Sequence, residues 1–435
     1  MNKKLMALAV AGAFAAPGAA LAQASNVQIY GTAYMEYGYV NQGSNTKGSL
    51  QNIDIMQSPG SEIGVKGEEA LGGGMSAWFQ CASTADLRGA APNTTSTGFG
   101  GTTGVFCGRN SAIGVKGSFG NAFLGNWDTP MKSQAGLSRI LSDTGLWGTA
   151  GLLFGNSSSY GDNSPSSSGT STNALSFSRR QGNSINYQSP VFSGFQMGAQ
   201  VSTPQNSISA TSNASGAKAR LWSLGATYTN GPLVLHGAYE NHSNFQVGAG
   251  TYASQTALTS PSQGYAGTDN AFTLGAAYQF GPFKAGVLYV QRKYDAGNNV
   301  ATCGLGASSG VVGGAVSNAD IKITSWNLAG QWDISGPHAL RGGYTRAGDT
   351  KGSCGAGATT PTGFGNITLN GGAGQTGANL WQVQYVYNAS KRTEMTAGYV
   401  RMNNDTNANY ALGGAATPSA GTSQNAFAVS IKNTF

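Results

Sequence analysis

The chain has 435 residues and carries a formal net charge of +7, yet only 9% of it is charged and 67 residues are glycine. That composition excludes an ordinary soluble globular domain. A mean hydropathy of −0.20, with no long apolar segment after the N-terminus, excludes a helical membrane protein. The lysines and arginines form no runs of the kind that bind nucleic acid.

The first segment reads as an export signal. Lys3 and Lys4 form a basic start, Leu5 to Phe14 an apolar stretch, and Ala20-Leu21-Ala22 a small-residue cleavage site. Residues 1–22 are therefore expected to be removed, with cleavage before Gln23 or two residues later. Pro17 and Gly18 interrupt a run already too short to span a bilayer. Without its two lysines the +7 falls to +5 for residues 23–435.

From Val27 onward, short runs alternate apolar with polar or small residues. Side chains in a strand alternate faces, so each run makes a ribbon with one oily face and one wet face. Runs begin near Val27, Ser61, Gly74, Cys107, Asn121, Arg179, Gly194, Arg220, Leu233, Asn270, Phe283, Lys322, His338, Gly377, Arg392 and Asn425. Phe195/Met197/Ala199/Val201, Trp222/Leu224/Ala226/Tyr228 and Phe272/Leu274/Ala276/Tyr278/Phe280 are representative oily sets. Their alternates, such as Gln196/Gly198/Gln200, are polar or small. Tight turns at Asn230-Gly231-Pro232, Gly281-Pro282 and Gly336-Pro337 alternate with long polar connections near 82–106, 128–178, 243–268, 294–320, 348–376 and 404–424.

About sixteen such strands, each near the ~10 residues of a tilted membrane strand, predict a transmembrane antiparallel β-barrel with one elaborate rim. Its apolar face meets lipid and its interior holds water. Tyr and Trp recur near strand ends, as an interfacial belt requires. Closure pairs the first strand with the last.

Four cysteines fit an oxidising compartment. Cys81 and Cys107 are placed to close the neck of the loop between them, and Cys303 and Cys354 to tie two long loops together. Free or differently paired thiols are the alternative. No C-x-x-C spacing occurs and no histidine lies near a cysteine, so neither a metal nor a cofactor is expected. An enzyme is not expected either. His236 faces inward by parity, His242 precedes a loop and His338 follows a turn, but no hydrolase motif surrounds any of them. Gly72-Gly73-Gly74 and Gly304-Leu305-Gly306 open no helix and read as turn and loop rather than phosphate cradles.

Several motifs resemble the trimeric general porins of Gram-negative outer membranes. The Ser61-to-Gly74 stretch, SEIGVKGEEALGGG, resembles that family's S-R-[IL]-G-[FL]-K-G-x-E-D-L-G-x-G hairpin. Arg109 to Gly117, followed by Phe119-Gly120, resembles its R-x-x-x-V-G-L-x-G-x-F-G strand pair. Asn186 to Gly194 and Ser390-Lys391-Arg392-Thr393 match further turns, and the terminal Phe435 resembles the signal read by the barrel assembly machinery.

The resemblance implies a sixteen-stranded barrel, three per assembly, set among outer-membrane lipid and lipopolysaccharide. It also implies that the third long loop, here about 128–178, folds inward and narrows a passive diffusion channel. On that loop the acids are Asp128, Asp143 and Asp162. They would face basic residues on the wall: Arg180, which parity also turns inward, Lys66, and Arg109. Strict alternation instead puts Arg109 outward with Ile113 and Val115; a bulge or a subunit-interface position would each reconcile the two. Glu62 stands where the family usually has arginine, Asn126 where it often does, and Glu36 is a further acid of the candidate constriction. The expectation is a general channel with a mild anion preference. A substrate-specific channel is the closest alternative, and an adhesin built on the long polar loops a more distant one.

Overall fold

Alternation along each run becomes pairing between runs. The computed structural model describes residues 26–45, 48–49, 52–88, 106–155, 176–202, 220–243, 268–296, 319–353, 375–416 and 418–435. The 1–22 segment, Asp162, Cys303 and Cys354 lie outside them.

Within the described residues, sixteen wall strands close into an antiparallel barrel. The first four are β1 (Asn26–Asn41), β2 (Ile53–Gln57 continued by Glu62–Gly72), β3 (Met75–Thr84) and β4 (Ser111–Gly117). Then come β5 (Gly120–Asp128), β6 (Arg180–Gln188), β7 (Phe195–Ser202), β8 (Arg220–Asn230) and β9 (Leu233–Ser243). The next four are β10 (Thr268–Phe280), β11 (Phe283–Ala296), β12 (Ala319–Ser335) and β13 (His338–Ala347). The last three are β14 (Ala378–Asn388), β15 (Thr393–Asn404) and β16 (Gln424–Thr434). A short strand, Lys351–Ser353, extends the rim beside β12.

Each strand pairs with its sequence neighbours, and β16 pairs with β1 from Thr32↔Thr434 to Asn41↔Asn425. The last residue completes the seam: Gly31 and Phe435 exchange both backbone hydrogen bonds (3.1 and 3.0 Å). A Cβ on residue 31 would run into the Glu62 carbonyl oxygen as well as the Phe435 ring, which requires glycine there. With no open edge, no wall N–H or C=O is left to hydrocarbon.

The oily sets named from sequence point outward. Met197, Leu224, Leu274 and Val429 are each at least half exposed, with Leu274 at 58%. Directly opposed residues of an antiparallel pair share a face, so the register assembles the outward aromatics into rows. Tyr239↔Phe272, Tyr289↔Trp326, Tyr344↔Trp381 and Tyr399↔Phe427 face each other near the long-loop rim. Phe280, Phe283 and Trp332 stack at 5.6 and 5.7 Å near the turn rim. Aliphatic residues fill the band between these girdles, as two membrane–water interfaces require.

The inner face departs from simple alternation. On β11–β16 the inward residues include Leu288, Val290, Ile323, Leu380, Val400 and Met402, all buried. The connection after β5 covers them. It carries α1 (Pro130–Arg139) and α2 (Ala150–Phe154), and its Met131, Leu146, Trp147, Leu152, Leu153 and Phe154 form one core with the wall. Each large side chain so buried contributes on the order of 1.5–3 kcal/mol. Thr129 caps α1 by accepting from the Lys132 N–H (3.3 Å), and Pro130 supplies the preset first turn. Ala408, Tyr410 and Leu412 of the last outer connection join the same core.

Docking this loop requires a wall without side chains where backbones approach. A Cβ on residue 286 would run into the Ser138 carbonyl oxygen, so only glycine leaves room for the end of α1. Gly286→Val should dislodge that end at a cost of about 1–3 kcal/mol. The expected readout is a lowered urea midpoint for the detergent-solubilised barrel; an unchanged midpoint would mean the loop does not dock on this wall.

Candidate pore constriction

Opposite the apolar arc, the inner faces of β1–β6 carry charge. Glu62, Lys66 and Glu68 alternate inward along β2, in register with Thr32, Gln28 and Asn26 of β1. On β3 their partners are Thr84, Gln80 and Trp78.

Arg109 lies beside Glu62, with Nε 2.5 Å from Glu62 Oε2. The inward position follows from local backbone, not strand parity. β4 begins at Ser111 rather than near Cys107, because residues 106–110 turn, with Cys107 in the left-handed region (φ 60°). Alternation therefore does not extend back to residue 109, and the outward placement expected from it is corrected. Arg109 N–H donates to the Ala82 carbonyl (2.9 Å), and Cys81 and Cys107 are joined by a disulfide across the neck of the intervening loop. Asn126 Nδ2 donates to the Gly108 and Arg109 carbonyls, both 3.1 Å, holding the same turn from β5.

A second cluster centres on Asp128 at the root of the inward loop. Its Oδ1 pairs with Lys132 Nζ (2.8 Å) and Arg180 Nη2 (3.3 Å). Asn110 bridges the group, donating to Asp128 Oδ2 (3.0 Å) while its own Oδ1 accepts from Arg180 Nε (2.6 Å). The Asp128–Lys132 spacing is one helical turn, so the cap of α1 itself brings the ammonium to the carboxylate.

Glu36 stands elsewhere. It is 1% exposed, and its carboxylate accepts from the Leu146 N–H (2.9 Å) and the Tyr34 hydroxyl (2.5 Å). Gly145, at φ 74°, leaves room for those oxygens. Glu36 thus anchors the inward loop at Leu146 to β1 rather than facing water. On the far wall Arg292 Nη2 (3.3 Å) and Ser325 Oγ (2.8 Å) both donate to the Leu152 carbonyl, fixing α2 from β11 and β12.

Asp143 pairs with Arg139 (3.4 Å) just beyond α1. Burial pushes its carboxyl up, but the Arg139 and Lys132 charges outweigh burial and hold it below the usual carboxylate range. Of the candidate residues, the structure brings Glu62 to Arg109 and Asp128 to Arg180. Asp143 sits on the loop, and Lys66 lies two inward positions from Glu62 toward the turn rim.

Sequence reasoning missed Lys132, Arg139, Asn110 and the Glu68–Lys116 pair (2.6 Å). The Thr129-Pro130 start was the available signal for α1, and with it for the i,i+4 pairs. It also missed an inward aromatic cluster. Trp78 lies 5.3 Å from Phe123 and 5.8 Å from Trp127, ring centre to ring centre. Trp78 is readable by parity with Gln80; Trp127 is concealed by the register shift after Gly125.

A sequence model of the Gram-negative porin family matches residues 7–407. Outer membrane porin protein 32 of Delftia acidovorans is 28% identical over 233 residues, 54% of this chain and 58% of that protein. Major outer membrane protein P.IB of Neisseria gonorrhoeae is 27% identical over 233 residues, 53% and 54% of the two chains. The chain thus spans a little over half the length of these curated relatives. In fold it is similar to an anion-selective porin from Comamonas acidovorans, with TM-score 0.62 and 21% identity over 94% of this chain and 100% of that one. It is also similar to the trimer form of OmpT from Vibrio cholerae, with TM-score 0.58 and 16% identity over 95% and 100%.

The Arg139–Asp143 tie gives a pH dependence with a definite sign. A carboxyl whose folded-state pKa is depressed adds stability above its unfolded value, and that stability is lost as pH falls through the folded value. The Asp143 contribution should therefore be constant from pH 8 to 5 and fade only below ~4. Asp143→Asn should remove on the order of 1 kcal/mol at pH 7 and progressively less as pH falls below the usual carboxylate range. Thermal midpoints of both proteins from pH 8 into the acid range provide the check; a difference that does not shrink as pH falls below ~4 would refute the charge origin.

Proposed function

The chain belongs to the Gram-negative porin family, and on that premise we propose that it forms a water-filled outer-membrane channel for passive diffusion of small hydrophilic solutes and ions. The observation that carries this reading is the division of the barrel interior. The inward loop and last outer loop fill the β11–β16 side with an apolar core. The β1–β6 side keeps charged and amide side chains facing inward. A solute crosses along that polar arc, beside Glu62–Arg109 and the Asp128–Lys132–Arg180 cluster.

Paired charges on facing elements orient dipolar water and favour polar solutes over apolar ones, and a surplus of one sign biases ion choice. Asp128 faces two cations and Lys66 has no acidic partner among the described residues, so the described part of the arc carries a positive surplus. This supports a mild anion preference, tempered by Glu62. Catalysis has no place in this reading. Ser138 Oγ lies 2.8 Å from His236 Nε2, but both residues are buried and among the described residues His236 Nδ1 has no partner to orient it as a base. His242 is wholly buried against Glu240.

The same reading makes residues 1–22 a removed export signal and the mature chain one of three barrels in a homotrimer. It also gives Phe435 to the assembly machinery and the outer girdle to lipid and lipopolysaccharide. Its support is family membership, together with the similar fold of an outer membrane protein of Vibrio cholerae solved in a trimer form.

Glu62 provides the test. Glu62→Gln leaves Arg109 uncompensated, and Glu62→Arg adds a second cation beside it. In planar bilayers under a potassium chloride gradient, reversal potential should move toward chloride in that order. Each step should change the permeability ratio on the order of twofold. Unchanged reversal potentials in both variants would place residue 62 off the ion path, and absence of conductance in the wild type would refute the channel.

A further inference from the structure

Toward the turn rim, below the constriction, the wall of β1–β4 holds a cavity that the constriction's ion pairs do not account for. It is lined by Gln28, Lys66, Glu68, Ser76, Trp78 and Lys116, all on the inward face by register. Gln28, Lys66 and Gln80 form one row across three strands. Glu68, Trp78 and Gly114 form the next.

Two features of this cavity point to a ligand. The first is a spare cation. Among Lys66, Arg109, Lys116, Lys132, Arg139 and Arg180, only Lys66 has no carboxylate within ion-pair distance among the described residues. Its Nζ lies 5.1 Å from the Tyr30 ring centre, which steadies the ammonium without neutralising it. The neighbouring Glu68 does not fill the role, since Lys116 (2.6 Å) and Ser76 (2.7 Å) already hold its carboxylate.

The second is a fixed aromatic face. Trp78 is backed by Phe123 and Trp127, and its Nε1–H donates to Asn121 Oδ1 (2.8 Å), which sets the plane of the indole. Its register partner Gly114 has no side chain, and the indole packs over that bare backbone: a Cβ on residue 114 would stand 3.0 Å from Trp78 Cε2, which further fixes the ring. An indole locked in orientation beside an uncompensated ammonium, with the Gln28 amide close by, matches a planar anion rather than a spherical one. Chloride uses only the lysine; a ring-bearing carboxylate uses all three.

We propose that this cavity is a binding subsite for small aromatic carboxylates, so that the channel retains such solutes in preference to inorganic anions of the same charge. The carboxylate pairs with Lys66 Nζ, and the ring lies against Trp78. The proposal rests on the channel reading above, because the solute must reach the lumen.

The test is isothermal titration of the purified full chain in detergent with benzoate, cyclohexanecarboxylate and benzamide, with potassium chloride conductance recorded in parallel. Benzoate should bind saturably. Lys66→Gln should weaken it about tenfold while leaving benzamide unchanged. Trp78→Leu should abolish the preference for benzoate over cyclohexanecarboxylate, and Trp78→Phe, which keeps an aromatic ring in the cluster, should retain it. If Trp78→Leu does not fold, Lys66→Gln and Trp78→Phe decide the matter. Absence of saturable benzoate binding, or binding indifferent to Lys66→Gln, overturns the subsite. Conductance without benzoate binding refutes the subsite alone, whereas benzoate binding without conductance refutes the channel alone.

Discussion

Hydrocarbon offers no water to unpaired backbone groups, and that constraint shapes this molecule from its first wall strand to its last residue. A sheet of alternating ribbons satisfies it only by closing on itself. The seam where β16 meets β1, finished by the Gly31–Phe435 backbone pair, is where closure occurs. Once the sheet is closed, sidedness follows. One set of alternate side chains faces lipid and must be apolar, with aromatics at the two interfaces. The other set faces a space that the chain must furnish itself.

It furnishes that space unevenly. The segment after β5 carries Leu146, Trp147, Leu152, Leu153 and Phe154 into the barrel, and these require an apolar wall. Leu288, Val290, Ile323, Leu380 and Val400 provide one. Glu36, Arg292 and Ser325 then pin the segment by its backbone at Leu146 and Leu152. The opposite arc is left free of that apolar packing, and acids and bases meet there in compact pairs; on the packed side charge persists in the Arg341–Glu394 and Arg346–Asp405 pairs. The proposed solute path therefore depends on a packing decision made on the other side of the barrel.

Most of the wall was legible because a two-residue period and Gly-Pro turns report local geometry directly. Trp222/Leu224 and Phe272/Leu274 point outward for that reason. What was not legible depended on distance or on broken periodicity. The side on which Arg109 lies turns on five residues that leave the strand before Ser111. Glu36 looked like a lumen charge because its partner, the Leu146 N–H, is 110 residues away. Val287-Leu288-Tyr289-Val290 is apolar on both faces, a pattern of two-sided burial that has meaning only once something occupies the lumen. Asp128 and Lys132 carried a readable spacing, but only for a segment recognised as helix from its Thr129-Pro130 start. Asp162, Cys303 and Cys354 lie outside the described residues.

The seven tryptophans divide between the two faces and so report sidedness directly. Trp222, Trp326, Trp332 and Trp381 belong to the outward rows, while Trp78, Trp127 and Trp147 lie inside. Single-tryptophan variants, with the others changed to phenylalanine, can be reconstituted in bilayers whose acyl chains carry bromine. Fluorescence of the first four should be strongly quenched and that of the last three nearly untouched. Equal quenching of both sets, or strong quenching of the inner three alone, would contradict a barrel that turns its apolar face to lipid and encloses a polar path.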